Sequence, residues 1–160
     1  QHLVRVMSTN PSYLQSAVDD RVRNLRDWGI PLGRRFRALK LWCLVREQGV
    51  EGLQRRLRRD LDNARWLEAQ VQGAQHWRVL APMVLQTLCL RHEPPGLAGE
   101  ALDRHTLAWA ERVNASGEAY VTPAVLDGRW MVRVSVGSLT TERVHVAELW
   151  TLLRAEAERA

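Results

Sequence analysis

Lysine is nearly absent from this 160-residue chain: Lys40 stands alone against 22 arginines. Any reaction that runs through a lysine amine therefore has one candidate here. Cysteine is scarce too. Cys43 and Cys89 lie inside the apolar runs LWCLV and TLCLR, far from any CxxC grouping, which excludes a disulfide framework and predicts buried thiols in a reducing compartment. No run approaches the ~20 apolar residues that cross a bilayer. The start, QHLVRVMSTN, has no charged segment followed by an apolar one, so the chain reads as soluble and unsecreted, with no membrane partner. Walker-type and dinucleotide glycine patterns are missing, as is a GxSxG elbow. The five histidines, His2, His76, His92, His105 and His145, stand alone with none at ligand spacing, so each reads as a surface or core histidine and no metal is expected.

What is present belongs to an ordinary globular protein, 46% hydrophobic and 26% charged. A chain of this length can bury roughly two-thirds of the surface its unfolded form exposes, so one domain with a real core is the default. The net charge is +5 with a pI near 10.2, but 18 acidic residues are interspersed with the arginines. That mixture resembles codon bias more than a phosphate-binding surface.

Periodicity organises the rest. LVRVM reads as the end of a strand, NPSYLQ as turn chemistry, and the polar run to Asp27 as irregular. From Leu32, apolar residues at helical spacing predict a helix with Gly49 as its stop. A second helix follows from Val50 through Leu57, Leu61, Ala64 and Leu67 to Val71, with Arg55, Arg56, Arg58, Arg59 and Asp60 turned outward. WRVLAP and VLQTLCLRHE read as strands. A helix is expected from about Gly99 to Ser116, ended by Gly117. AYVTPAVL and WMVRVSVG flank Asp127-Gly128, which favours a type I′ hairpin; in the second strand Trp130, Val132, Val134 and Val136 should face one way, and Met131, Arg133 and Ser135 the other. Thr140 or Thr141 offers the cap of a last helix through Val146, Trp150 and Leu153. The order describes a small antiparallel sheet covered by helices, an α+β unit, while the helices before Gly73 would need a further layer to pack on.

The stretch IPLGRRFRALKLW could be a nucleic-acid grip, a membrane-surface helix or part of an enzyme core. Arginines and tryptophan suit phosphate and base, but Arg34, Arg35 and Arg37 are interleaved with core-type residues, so no nucleic-acid partner is expected.

Read in order, NPSYLQ, DWGIPLGRRFRALKLWCLVREQGVEGLQRRLRRDLDNARWLEAQV and LDGRWMVRVSVGSLTTERVHVAELW resemble the C-terminal part of the group II pyridoxal-phosphate-dependent decarboxylases, nearest their aromatic-L-amino-acid branch. The resemblance implies the C-terminal part of a type I PLP-dependent transferase fold. Residues 1–75 would end the large cofactor-binding domain, with a mobile loop at about 8–27 and then two helices, and 76–160 would form the small α+β domain. It implies a cytoplasmic homodimeric carboxy-lyase that releases CO2 from an aromatic amino acid. It also implies that the cofactor is bound mainly upstream of this chain: Lys40 matches the lysine of the helix motif, follows Leu39 where the Schiff-base lysine follows a histidine, and is not that lysine. The chain alone should then be inactive and need the N-terminal part of the same polypeptide.

By the same resemblance Tyr13 falls on the mobile loop, as the phenol that protonates the carbon left by CO2 loss. Related enzymes with phenylalanine there form aldehydes; the alternative for Tyr13 is a surface-loop tyrosine. Gly33 would approach cofactor and substrate of the partner subunit and leave room for a bulky ring, or be an ordinary helix-start glycine. Arg34 and Arg35 would be interface and structural residues. A catalytically empty dimerisation module of the same fold, and an arginine-rich nucleic-acid binder, are the other readings.

Overall fold

The structure is a computed structural model and describes residues 2–8, 21, 24–29 and 35–159. The chain divides into two compact units, Gln1–Glu47 and Gln48–Ala160. In the second unit the helical segment after Gly49 contributes Ala64, Leu67 and Val71 to the same core as the sheet.

In the first unit, His2–Met7 is a helix, α1, where a strand end was expected. A strand leaves its N–H and C=O groups unpaired until a neighbour arrives, whereas a helix satisfies them locally. The turn closes with Ser8 N–H donating to Val4 O at 2.8 Å. A 3-10 turn, Leu25–Trp28, lies against α1, and the Ser8 hydroxyl donates to Asp27 Oδ1 at 3.0 Å. α2 runs Arg37–Gly73 but is interrupted at Gly49, whose φ of 67° and ψ of 171° are not helical. The predicted stop is therefore a break between two helical segments, at a backbone shape only glycine adopts readily.

The part of α2 within the first unit exposes its apolar residues: Phe36 just before it is 73% exposed and Trp42 60%. Cys43 is exposed as well, against the expectation of a buried thiol, since no described residue covers that surface. Beyond Gly49, Val50 and Leu57 are also exposed, so the expected apolar stripe is buried only from its later turns. Asp60, expected outward, is 3% exposed and takes two hydrogen bonds from the Arg59 guanidinium, at 3.3 and 3.2 Å.

The second unit is the α+β arrangement its pattern predicted. Strands β1 (Trp77–Val79), β2 (Thr87–His92), β3 (Thr122–Leu126) and β4 (Arg129–Ser135) form one antiparallel sheet in the order β1-β2-β4-β3. Registers pair Trp77 with His92, Leu88 with Val134, Leu90 with Val132 and Val125 with Trp130. Period-two alternation turns Leu88, Leu90, Val132 and Val134 inward. Met131, expected on the other side from them, is nevertheless buried at 5%. Cys89 lies opposite Arg133 and is half-buried. The hairpin turn has positive φ at Asp127 (49°) and Gly128 (74°), as the type I′ expectation requires.

Helices α3 (Gly99–Ser116) and α4 (Arg143–Glu158) cover the sheet, and Trp109, Val113, Val146, Trp150 and Leu153 join its core. α3 ends as predicted, with Gly117 in the left-handed conformation at φ 75°. The cap of α4 is Glu142 and neither threonine: Glu142 N–H donates to His145 Nδ1 at 3.0 Å, and the Glu142 side chain accepts from the His145 backbone. The Arg59 guanidinium also holds Glu142 Oε1 at 2.7 Å.

Candidate functional site

Of the residues the sequence singles out, Tyr13, Gly33 and Arg34 lie outside the described residues. Arg35 is exposed, and its carbonyl accepts from Arg37 N–H at 2.7 Å at the start of α2. Lys40 is exposed on that helix.

The chemistry that can be described gathers in the second unit, in a cleft of about 920 Å³. The end of α2, the turn into β1, the end of β2, His105 of α3 and the last turns of α4 line it. Here the reading of isolated histidines is corrected. His92 Nδ1 and His105 Nε2 are 3.0 Å apart, so one ring donates to the other. They are thirteen positions apart in sequence, and only the PPG turn between β2 and α3 brings them together. His76, at φ 65° in the turn before β1, lines the same cleft. No sequence spacing signals such a pair; two histidines bracketing a Pro-Pro-Gly turn is the one local hint.

The surroundings fix its electrostatics. His92 is 6% exposed, and its ring lies 5.0 Å from that of Trp77. Trp77 also meets Trp150 edge-on at 5.0 Å. Burial pushes the His92 imidazole down to about 4, His105 and His76 adding repulsion while Glu158 opposes it. His105 is lowered by burial and then by the Arg112 guanidinium. Both rings are therefore neutral near pH 7, one donating and the other accepting in their hydrogen bond.

Ion pairs hold the walls in place. Arg91, at the end of β2, donates to Asp103 of α3 at 2.7 Å, and Asp103 also accepts from Trp130 N–H at 3.1 Å. The last turn of α4 is fixed by Glu156, 6% exposed, which takes Arg112 at 3.2 Å and Arg159 at 2.9 Å. Buried charges of this kind tolerate loss of a partner poorly. Among the described residues no helix is long and apolar enough to cross a membrane.

A family model, the pyridoxal-dependent decarboxylase conserved domain, matches residues 1–93. The chain belongs to the pyridoxal-dependent decarboxylases. Among its decarboxylase-family relatives, a tryptophan decarboxylase of Camptotheca acuminata is 36% identical over 98% of this chain and 32% of its own length. A phenylacetaldehyde synthase of a Rosa hybrid cultivar is 34% identical over 98% of the chain and 32% of its own length. The crystal structure of Oryza sativa TDC with PLP and tryptamine superposes with a TM-score of 0.88 at 34% identity, covering 96% of this chain and 33% of that one. The chain thus spans about a third of the length of the relatives it matches. The described residues of this decarboxylase-family chain do not themselves build a site for pyridoxal phosphate. Its one lysine, Lys40, is exposed on α2, and the cleft contains none.

Proposed function

We propose that this chain is the C-terminal portion of a pyridoxal-phosphate-dependent decarboxylase that releases CO2 from an aromatic L-amino acid to give the amine, working in the cytoplasm as a homodimer. The observation that carries the reading is the extent of likeness: one tryptophan decarboxylase matches 98% of the chain at 36% identity, so the similarity runs on beyond residues 1–93 through the sheet and α4. The cofactor supplies the electron sink for CO2 loss, and residues upstream of this chain hold it.

Four residues of this chain are assigned roles in that enzyme. The phenol of Tyr13 delivers a proton to the carbon that has lost CO2. Gly33 borders the substrate of the partner subunit, where the lack of a side chain makes room for a large ring. Arg34 and Arg35 belong to the dimer interface. Residues 1–75 complete the large domain, and 76–160 form the small one.

The test is the complete polypeptide supplied with pyridoxal phosphate and a panel of tryptophan, tyrosine, dihydroxyphenylalanine and phenylalanine. Amine and CO2 in equal amounts from at least one of them is the expected result. No product from any of the four would leave the family fold standing and remove this activity.

A further inference from the structure

We propose that the cleft beside His92 binds an aromatic α-amino acid as its zwitterion, with α4 supplying both charged contacts. Trp150, Arg154 and Glu158 recur every four residues and so share one face of that helix, and all three line the cleft. The Arg154 guanidinium lies 5.9 Å from the Trp150 ring. Neither Arg154 nor Glu158 makes an ion pair with the other or with any described residue, and both are exposed. Two opposite charges one turn apart, neither held in an ion pair, match a ligand that carries a carboxylate and an ammonium on one carbon.

The rest of the cleft suits the remainder of such a ligand. The edges of the buried Trp77 and Trp150 rings line the cleft together with Pro94 and Leu97. A volume near 920 Å³ is within the range of small-molecule sites. His92 and His105 each use one ring nitrogen in their mutual bond, and the other nitrogen of each has no hydrogen bond among the described residues. A phenol hydroxyl or an indole N–H can therefore be met inside the cleft, which favours tyrosine- and tryptophan-like rings over plain hydrocarbons. The fixed last turn, clamped through Glu156, keeps Arg154 and Glu158 in register.

The inference does not depend on the proposed reaction, and its test uses two probes that cannot be decarboxylated. 3-(4-Hydroxyphenyl)propionate keeps the ring and carboxylate; tyramine keeps the ring and ammonium. Calorimetric titration of the complete polypeptide, freed of pyridoxal phosphate so that tyramine has no aldehyde to condense with, is compared with its Arg154→Gln and Glu158→Gln variants, whose side chains are exposed and whose folding is not at stake. Arg154→Gln is expected to weaken the propionate roughly tenfold and leave tyramine unchanged, and Glu158→Gln to do the reverse. Equal binding of both probes to all three proteins would overturn the assignment. So would displacement of the propionate by inorganic phosphate at matched concentration, which would mean a bare anion site. An enzyme that makes no amine but passes these titrations would lose the proposed reaction and keep this site.

Discussion

Tyr13 carries the most consequential single-residue expectation. In the complete enzyme Tyr13→Phe removes the acidic hydroxyl but keeps the ring, so protonation slows while binding is preserved. Amine formation should fall at least tenfold and the aldehyde share should rise, read by chromatography of both products; an unchanged ratio would remove the assigned role. His92 makes a different prediction, on stability. Its folded-state value near 4 lies below the ordinary 6.5, so the folded form favours the neutral ring. Its contribution is fully present above pH 6.5 and is lost as the pH falls toward 4, because the unfolded chain then takes up the proton first. Wild type should lose more stability than His92→Gln between pH 7 and pH 4.5, by roughly 2 kcal/mol in urea unfolding. Parallel pH curves would show that the buried pair does not titrate in this way. These two residues also mark the limits of legibility. Tyr13 was singled out by the wording around it, whereas His92 and His105 looked solitary because their contact depends on strand pairing and a turn.

At the scale of elements, local chemistry decided what could be read. α3 and the β3–β4 hairpin follow from Gly117 and Asp127-Gly128, whose positive φ angles are required within a few residues of sequence. α1 was misread because LVRVM has the residue types of a strand and no strand partner among the described residues. The cap of α4 falls one position beyond Thr141, at Glu142, whose side chain also meets Arg59, 83 residues away in sequence. Removing that cap is a clean test. Glu142→Ala should cost about 1 kcal/mol and lower the melting temperature by a few degrees. Thr141→Ala should cost much less, and equal losses would return the cap to the threonine.

For the whole molecule, the exposed apolar surface is the informative feature. Phe36, Leu41 and Trp42 are each at least 60% exposed, which is costly for a chain that stays alone in water. The sequence already indicated that the helices before Gly73 need another layer, and the one-third coverage of the relatives agrees with that need. The 160-residue chain produced by itself, with pyridoxal phosphate added, should therefore give no amine and no absorbance band of a bound lysine imine. Either signal would mean that Lys40 serves where no role is assigned to it.

Gly49 has a practical side for the molecular biologist. Every buried apolar residue among the described ones, from Ala64 to Ala157, is encoded downstream of that codon. A gene opened there keeps the entire interior of the second unit on one side of the junction. Because the backbone at that glycine already continues no helix, a linker or tag placed at the seam has no regular hydrogen-bond ladder to break.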